Sequence, residues 1–482
     1  MKFSAVRTWC IAASLWLSAM GPIHGQELAD RILVGYWHNW AYPNAPRLID
    51  LPVEFDVVNV AFAVPSTPLG ADLEFHPTPA IYPNSMDFLA DVQSLQASGR
   101  KVLISIGGGA DPIQIQNAAD EALFVASLLN IVQTWGFDGV DIDLEGSSLE
   151  LEPGDVDFRN PITPRIVHFI QGMQAVMAQL PVETLLSAAP ETAFVQGGYG
   201  SYGGVWGAYL PVLDALRDEL DYVHVQHYNS GTMFGRDGQI YTPGTADFHV
   251  AMAESLLAGF DVAGGGFFPP FRSDQVAIGL PASPLAAGSG YTPPATVTLA
   301  LDYLYLGSSF GGQYQLANPN GYPGFRGLMT WSINWDMWNG EEFASEYDRY
   351  LRQLFLAGDV ANLSVTTGGV LNLQVKAGAG NAGRAYVLVG SASGTDPGLQ
   401  LPGGSVTLPL NRDAFMELSY WQAGLPTFPG FQGTLDGQGQ AMAQFHLPPV
   451  GSHWAGRVLH FAYGLSQPWD FASQPVALVL DP

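Results

Sequence analysis

The run Phe137-Asp138-Gly139-Val140-Asp141-Ile142-Asp143-Leu144-Glu145 places four carboxylates within a stretch whose other members are apolar or glycine. The aliphatic positions read as a buried strand of a parallel sheet. Side chains alternate across a strand, so Asp141, Asp143 and Glu145 share one face at steps of about 6.6 Å, while Ile142 and Leu144 point into a core. Like charges in a desolvated row disfavour ionisation of at least one member, and Glu145, last in the row, is expected to hold a proton near neutral pH and act as an acid. Asp138 is off parity and is assigned a supporting position instead of the shared face. A calcium loop is the competing reading. It needs glycine at its sixth position and glutamate at its twelfth, whereas here apolar residues fill the intervening positions after Gly139.

Outward from this run, residues 31–357 alternate short apolar runs with helical patterns, the mark of repeated βα units around a parallel sheet. Strands are expected at 32–37, 57–64, 102–106, 139–144, 184–189, 222–227, 276–280 and 327–332. Helices are expected at 87–97, 121–135, 164–179, 206–218, 248–257, 297–306 and 342–356. Eight such units close as a (β/α)₈ barrel, whose active site forms at the C-terminal ends of the strands. The residues that look functional fall at those ends: Trp37 to Trp40, Ser105 to Gly109, Glu145, Ala189 to Glu191, Gln226 to Asn229, and Trp331 to Trp335. The Gly-, Pro- and aromatic-rich segments 259–273 and 307–325 are read as groove walls. After Ala357 helical periodicity stops and short β-like runs alternate with turns, which predicts a smaller all-β, sandwich-like domain. The expected organisation is an export signal over 1–25, a catalytic barrel over 26–357 and a β-rich accessory domain over 358–482.

Composition narrows the function. The net charge is −26 and the lysines are Lys2, Lys101 and Lys376 alone, which argues against nucleic acid and anionic lipid, since both need clustered cations. Lys2 and Arg7 precede an apolar run from Trp9 to Met20 and small residues around Gly21 and Gly25, the pattern of a secretory leader too short to span a bilayer. The sole cysteine, Cys10, lies in that leader, so no disulfide is expected in the exported chain. No His/Cys cluster exists, and neither a metal nor an organic cofactor is expected. The protein is expected to be a monomer, secreted outside the cell or, in a bacterium, to the periplasm or cell surface.

The acidic run, together with Ser105-Ile106-Gly107-Gly108, Gln226-His227-Tyr228-Asn229 and Trp331, resembles the family 18 glycoside hydrolases, and within them the bacterial chitinases. The resemblance spans the barrel. It implies retaining, endo-acting hydrolysis of chitin or chitooligosaccharides in which the substrate's 2-acetamido oxygen is the nucleophile. By motif, Glu145 would protonate the glycosidic oxygen and later activate water, Asp143 would orient the acetamido group, and Asp141 would share a proton or hydrogen bond with Asp143. Tyr228 would position the acetamido oxygen, with Gln226 on the same face and Ser105 as a hydrogen-bond partner of the acids. Many relatives carry an acid directly after the tyrosine, where this chain has Asn229. Trp331 would floor the site, and Tyr36, Trp37, Ala189 and Glu191 would face substrate, with Trp40, Tyr42, Trp206, Trp335 and Trp338 as further sugar platforms. His227, opposite in parity to its neighbours, is read as structural. Only about 45 residues separate the seventh and eighth strands, too few for the groove-deepening subdomain of some members, and an open groove is expected.

Two alternatives stay open at this point: an endo-β-N-acetylglucosaminidase acting on N-glycans, and a non-catalytic chitin-binding lectin, although such lectins usually lose one of the acids intact here. Trp421, Trp454 and Trp469 of the last domain are read as buried sandwich residues in preference to a binding face.

Overall fold

The computed structural model describes residues 28–482 other than Asn320 and Ser405. The proposed leader lies outside the described residues. Eight parallel strands form the barrel: β1 (Ile32–His38), β2 (Val57–Pro65), β3 (Lys101–Gly107), β4 (Gly139–Asp143), β5 (Leu185–Ala188), β6 (Tyr222–Gln226), β7 (Val276–Pro281) and β8 (Gly327–Trp331). Each pairs with its successor, and β8 pairs back onto β1 through Ile32↔Gly327 to Gly35↔Thr330, which closes the sheet and leaves it no edge. Both faces of the sheet are covered, so the strands are almost wholly buried and their sequences run apolar without strict alternation. Close packing has a local signature at Gly139, where a Cβ would stand 2.2 Å from the Leu185 carbonyl oxygen.

The helices that return the chain begin on side-chain caps. Asn84 accepts from Met86 N at the start of α1 (Ser85–Ala97), and Asn117 accepts from Ala119 N and Asp120 N at the start of α2 (Ala118–Trp135). Gly136, in the left-handed region at φ 65°, ends α2 and turns the chain into β4. The opening of each even-numbered strand up to β6 repeats one device. Asp56, Asp138 and Asp221, each directly before its strand, accept from Leu33 N, Val102 N and Leu186 N of the preceding strand, all at 2.8 Å.

That device corrects the sequence reading of Asp138. Its carboxylate also takes a hydrogen bond from Gln96 Nε2, at the N-terminal end of β4. Five residues of strand, roughly 17 Å, separate it from Asp143. It ties the barrel floor and does not support the acidic row.

The two segments read as groove walls are also corrected. Both connect a helix to the start of a strand, and neither contributes a residue to the lining of the cavity above the acids. In the first, Phe260–Val262 pairs with Gly266–Phe268 as a hairpin, held by Arg159 through the Phe267 carbonyl. The second is fastened to the helix Ala246–Ala258. There buried Glu254 accepts from Tyr314 OH, Tyr322 OH and Ala317 N, and Asp247 accepts from Gln313 N and Tyr314 N.

Beyond the barrel, Leu356–Gly358, Gly369–Lys376 and Gln440–Leu447 form one antiparallel sheet. A second sheet contains Ala385–Ser391, Val458–Ser466 and Val476–Asp481. Leu371, Leu373 and Val375 are buried while the residues between them are part-exposed, the alternation of a one-sided sheet. One element departs from an all-β expectation: Ala414–Trp421 is a helix capped by Asp413, which accepts from Met416 N. Trp421 lies on that helix and is exposed, contrary to the reading of it as buried, whereas Trp454 and Trp469 are half-buried against the sheets. The two parts share one apolar core around Leu354, Phe355 and Leu356, where Phe355 meets Phe471 edge-on at 5.0 Å and carries the Arg31 guanidinium at 4.5 Å.

Candidate active site

The parity read from the acidic run is the parity observed. Ile142 and Leu144 enter the apolar layer outside the sheet, while Asp141 and Asp143 point into the barrel and Glu145 stands two residues past the end of β4. The strands on either side supply polar groups at matching height, since Asp141 is in register with Ser105 on β3 and with Ser187 on β5. Ser105 Oγ and Tyr36 OH donate to Asp141 Oδ2, and Ser187 Oγ and His224 Nε2 donate to Oδ1. Burial opposes ionisation of Asp141, but the field and hydrogen bond of His224 and the bonds from Ser187 and Tyr36 outweigh it and hold the carboxyl below its ordinary range.

Asp143 behaves in the opposite way. Burial, then the charges of Glu145, Asp141 and Glu191, push its carboxyl well above the ordinary range, with the hydrogen bond from Gln226 opposing them. Glu145 is raised by burial, against hydrogen bonds from Gln226 and Asp143. The upper two acids are therefore a coupled pair that holds its proton more tightly than free carboxyls would. Gln226 Nε2 lies 2.8 Å from Asp143 Oδ1, 3.0 Å from Glu145 Oε1 and 3.0 Å from the Ala189 carbonyl oxygen. Three acceptors around one amide nitrogen settle its orientation. The expected bond between Asp141 and Asp143 is not among the contacts of the described residues, because Asp143 turns to Glu145 and Gln226.

The glycines after Ser105 let the backbone approach this row. Gly107, at φ 105°, would place a Cβ 2.5 Å from the Asp143 carbonyl oxygen, and Gly108 N donates to that same oxygen at 2.7 Å. At Gly109 a Cβ would stand 2.8 Å from Glu145 Oε2. Leu144 N donates to Tyr209 OH at 2.7 Å and so fixes the backbone between Asp143 and Glu145.

Above the row opens a cavity of about 530 Å³ lined by Asn39, Trp40, Phe62, Asp111, Glu145, Gln226, Tyr228, Asn229 and Trp331, among others. Tyr228 is buried, and burial together with the charges of Asp143, Glu145 and Glu191 keeps its hydroxyl protonated, a donor facing the cavity. Trp331 stacks on Phe62 with ring centroids 5.9 Å apart and an interplanar angle of 12°, and Trp40 stands 6.3 Å from both. Asn229, at φ 50°, accepts from Gly288 N and so pins the next loop at the rim. Glu191, three residues past the end of β5, is pushed up to about 7 by burial and by the charge of Glu145. A larger crevice of about 840 Å³ lies at the other end of the barrel around Lys101, Leu185, Asp221 and Arg326. It lies where the strands begin, whereas the active sites of such barrels form at the strands' C-terminal ends.

Several residues assigned to substrate lie elsewhere. Trp37 is fully buried on the outer face of β1, its Nε1 bonded to the Pro46 carbonyl and its ring packed on Tyr82 and Phe88. Tyr36 points into the barrel, but below the cavity, where it serves Asp141. Ala189 is buried and acts through its carbonyl on Gln226. Among the aromatic candidates, Trp40, Tyr42, Trp206 and Trp338 are exposed, whereas Trp335 is buried. His227 is packed: its ring stacks on His249, and its Nδ1 lies 3.1 Å from His249 Nδ1. Sequence reasoning passed over Ser187, His224, Phe62 and Tyr209. The first two were reachable, since each lies two residues before a strand-end residue already singled out and shares its face. Phe62 and Tyr209 carry no such signal.

The family model described as glycosyl hydrolases family 18 matches residues 32–288. Chitinase Chi52 of Paenibacillus xylanexedens is 52% identical over 325 residues, which cover 67% of this chain and 62% of that protein. Chitinase D of Niallia circulans is 51% identical over 350 residues, covering 71% of this chain and 66% of that protein. The chain thus spans somewhat less than two thirds of the length of these two relatives. The crystal structure of a family GH18 chitinase from Chromobacterium violaceum superposes with a TM-score of 0.62 at 38% identity, covering 67% of this chain and 84% of that one.

Proposed function

The chain belongs to the glycosyl hydrolases of family 18, and from that premise we propose that it hydrolyses β-1,4-linked N-acetylglucosamine polymers, cutting within the chain and retaining the anomeric configuration. The observation that carries this reading is the arrangement of the acids: Asp143 and Glu145, bridged by Gln226, at the base of an open, aromatic-walled cavity, with Asp141 beneath them held by four buried donors.

Two-carboxylate retaining enzymes need a second, ionised carboxylate about 5–5.5 Å from the acid, free to attack the anomeric carbon. Asp143 is hydrogen-bonded to Glu145 and carries the raised affinity for a proton, so it is a poor nucleophile. Glu191 is weakened in the same direction. The geometry instead favours a nucleophile brought by the substrate. The 2-acetamido carbonyl oxygen attacks the anomeric carbon, held in line by the Tyr228 hydroxyl, while the bond to the leaving oxygen breaks and Glu145 gives that oxygen its proton. The resulting oxazolinium cation lies over Asp143. Glu145, now a carboxylate, takes a proton from water, whose oxygen attacks the anomeric carbon and displaces the acetamido oxygen, returning the β-anomer. Trp331, backed by Phe62 and Trp40, supplies the apolar floor for the sugar ring.

We assign 358–482 to an accessory domain and expect the protein to act as an exported monomer. Among the described residues no helix is long and apolar enough to cross a membrane. The deciding experiment is hydrolysis of soluble chitin oligosaccharides by the protein and by Glu145→Gln, following product anomer and length. Rapid release of β-anomer in mixed lengths, lost in the variant, is expected. A product series dominated from the start by the disaccharide would refute internal cleavage. Release of glycans from a denatured glycoprotein, with no action on chitin oligomers, would move the substrate to N-glycans.

A further inference from the structure

Tyr228 faces the cavity, and its hydroxyl has no hydrogen-bond partner among the described residues. The aim of that hydroxyl therefore depends on packing and on how the backbone at 227–229 is held. The loop that follows β7 holds it. Asn229 N donates to the Ser289 carbonyl at 3.2 Å, and Gly288 N donates to Asn229 Oδ1 at 2.8 Å. Gly290, at φ 89°, lies directly against the chain: a Cβ there would stand 2.6 Å from Tyr228 Cα and 2.9 Å from the His227 carbonyl oxygen. Only glycine fits at that contact.

This loop is fastened in turn to a pair of histidines behind Tyr228. His249, on the helix Ala246–Ala258, has its Nε2 2.8 Å from Thr292 Oγ1, and Thr292 Oγ1 donates to the Gly290 carbonyl at 3.2 Å. The other side of the same ring meets His227, Nδ1 to Nδ1 at 3.1 Å, with the two planes within 8° of parallel. The hydrogens follow from the contacts. A carbonyl only accepts, so the Thr292 hydroxyl hydrogen goes to Gly290 and His249 Nε2 donates to Thr292. A neutral ring with its hydrogen on Nε2 has a bare Nδ1, so His227 Nδ1 is the donor between the rings. Burial pushes His249 down to about 4 and, with the charge of His249, holds His227 well below the usual imidazole range, so both stay neutral. Packing alone does not call for this pair. Both side chains are buried, and apolar rings there would avoid the cost of desolvating four ring nitrogens.

We propose that His249 is a positioning residue for the reaction: by bonding His227 and Thr292 at once, it closes the loop 288–292 on the backbone of Tyr228 and keeps the Tyr228 hydroxyl aimed into the cavity. The inference rests on the hydrolytic reading above.

The test combines a direct and a kinetic readout on the full chain. In protein labelled with ¹³C at the tyrosine Cζ, the NMR signal absent from Tyr228→Phe belongs to Tyr228. His249→Phe and Thr292→Val keep the shape and remove the hydrogen bonds, and each is expected to displace or broaden that signal. His249→Gln, whose amide can still donate to Thr292, should return it toward wild type. On chitin oligosaccharides His249→Phe should lower kcat about 10- to 100-fold with KM little changed. In a Tyr228→Phe background the same substitution should change kcat by less than about twofold, because the hydroxyl that His249 serves is gone. Losses that multiply in the double variant are those of a merely structural histidine and overturn the proposal, as does a Tyr228 signal that stays in place in both His249→Phe and Thr292→Val. If His249→Phe does not fold, Thr292→Val takes its place in the same cycle. A wild type that cleaves no chitin oligomer counts against the substrate, while the Tyr228 signal still decides the role of His249.

Discussion

Asp138 and Asp143 stand at the two ends of one strand, five residues apart, and do opposite things. Asp138 accepts from Val102 N and Gln96 Nε2 at the barrel floor, where its charge is spent on backbone that would otherwise lack a partner. Asp143 is buried among other acids at the upper end, where burial and its neighbours' charges raise its affinity for a proton. The difference teaches that a carboxylate in a barrel takes its role from which end of the strand it occupies: strand starts meet donor N–H groups of the neighbouring strand, and strand ends meet one another around the mouth.

The largest expected break in this comparison is at the upper end. Glu145→Gln should lower kcat/KM by about 10²- to 10⁴-fold, with the thermal midpoint equal to or above that of the wild type because a buried charge is removed. A loss of activity matched by loss of fold would erase the distinction between the ends. Tyr228→Phe keeps the packing and removes a positioning hydroxyl. A fall of about 10²-fold in kcat with unchanged unfolding in urea is expected.

At the lower end the signs reverse. Asp138→Ala leaves the Val102 N–H without its acceptor and should cost about 1–3 kcal/mol in urea unfolding, with kcat within about twofold of wild type. A marked change in kcat with little change in stability would return Asp138 to the supporting role read from the sequence.

The smallest effect sharpens the electrostatics of the upper end. Ionised Glu191 raises the Asp143 carboxyl, and is itself held up at about 7. Replacing it by Gln removes a negative charge, so the Asp143–Glu145 pair releases its proton at lower pH. Activity that needs that proton is lost as pH rises through the raised midpoint, and the alkaline limb of the kcat/KM profile should therefore move down, by about half a pH unit. An upward movement would mean that Glu191 acts on the pair through something other than its charge.

The barrel was legible from eight apolar runs in alternation with helical ones, and the acidic row from strand parity, while Gln226 and Tyr228 stood at a strand end and drew their roles from the resemblance of their motif. The same parity extended two residues back along β5 and β6 would have found Ser187 and His224. It misplaced Tyr36 and Trp37 because a strand buried on both faces offers no polar side to tell inside from outside: Tyr36 faces the barrel interior and Trp37 the helices. Phe62 and Tyr209 reach the site across the ring of strands and carry no local pattern.

By itself the sequence determined what depends on neighbours along the chain: which residues form strands, which acids share a face, and that like charges crowded on it must retain a proton. The tertiary structure alone decided how those charges are divided. Which acid is ionised depends on donors from β1, β3, β5 and β6 converging on Asp141, and hydrogen bonds act only over contact distances that barrel closure sets.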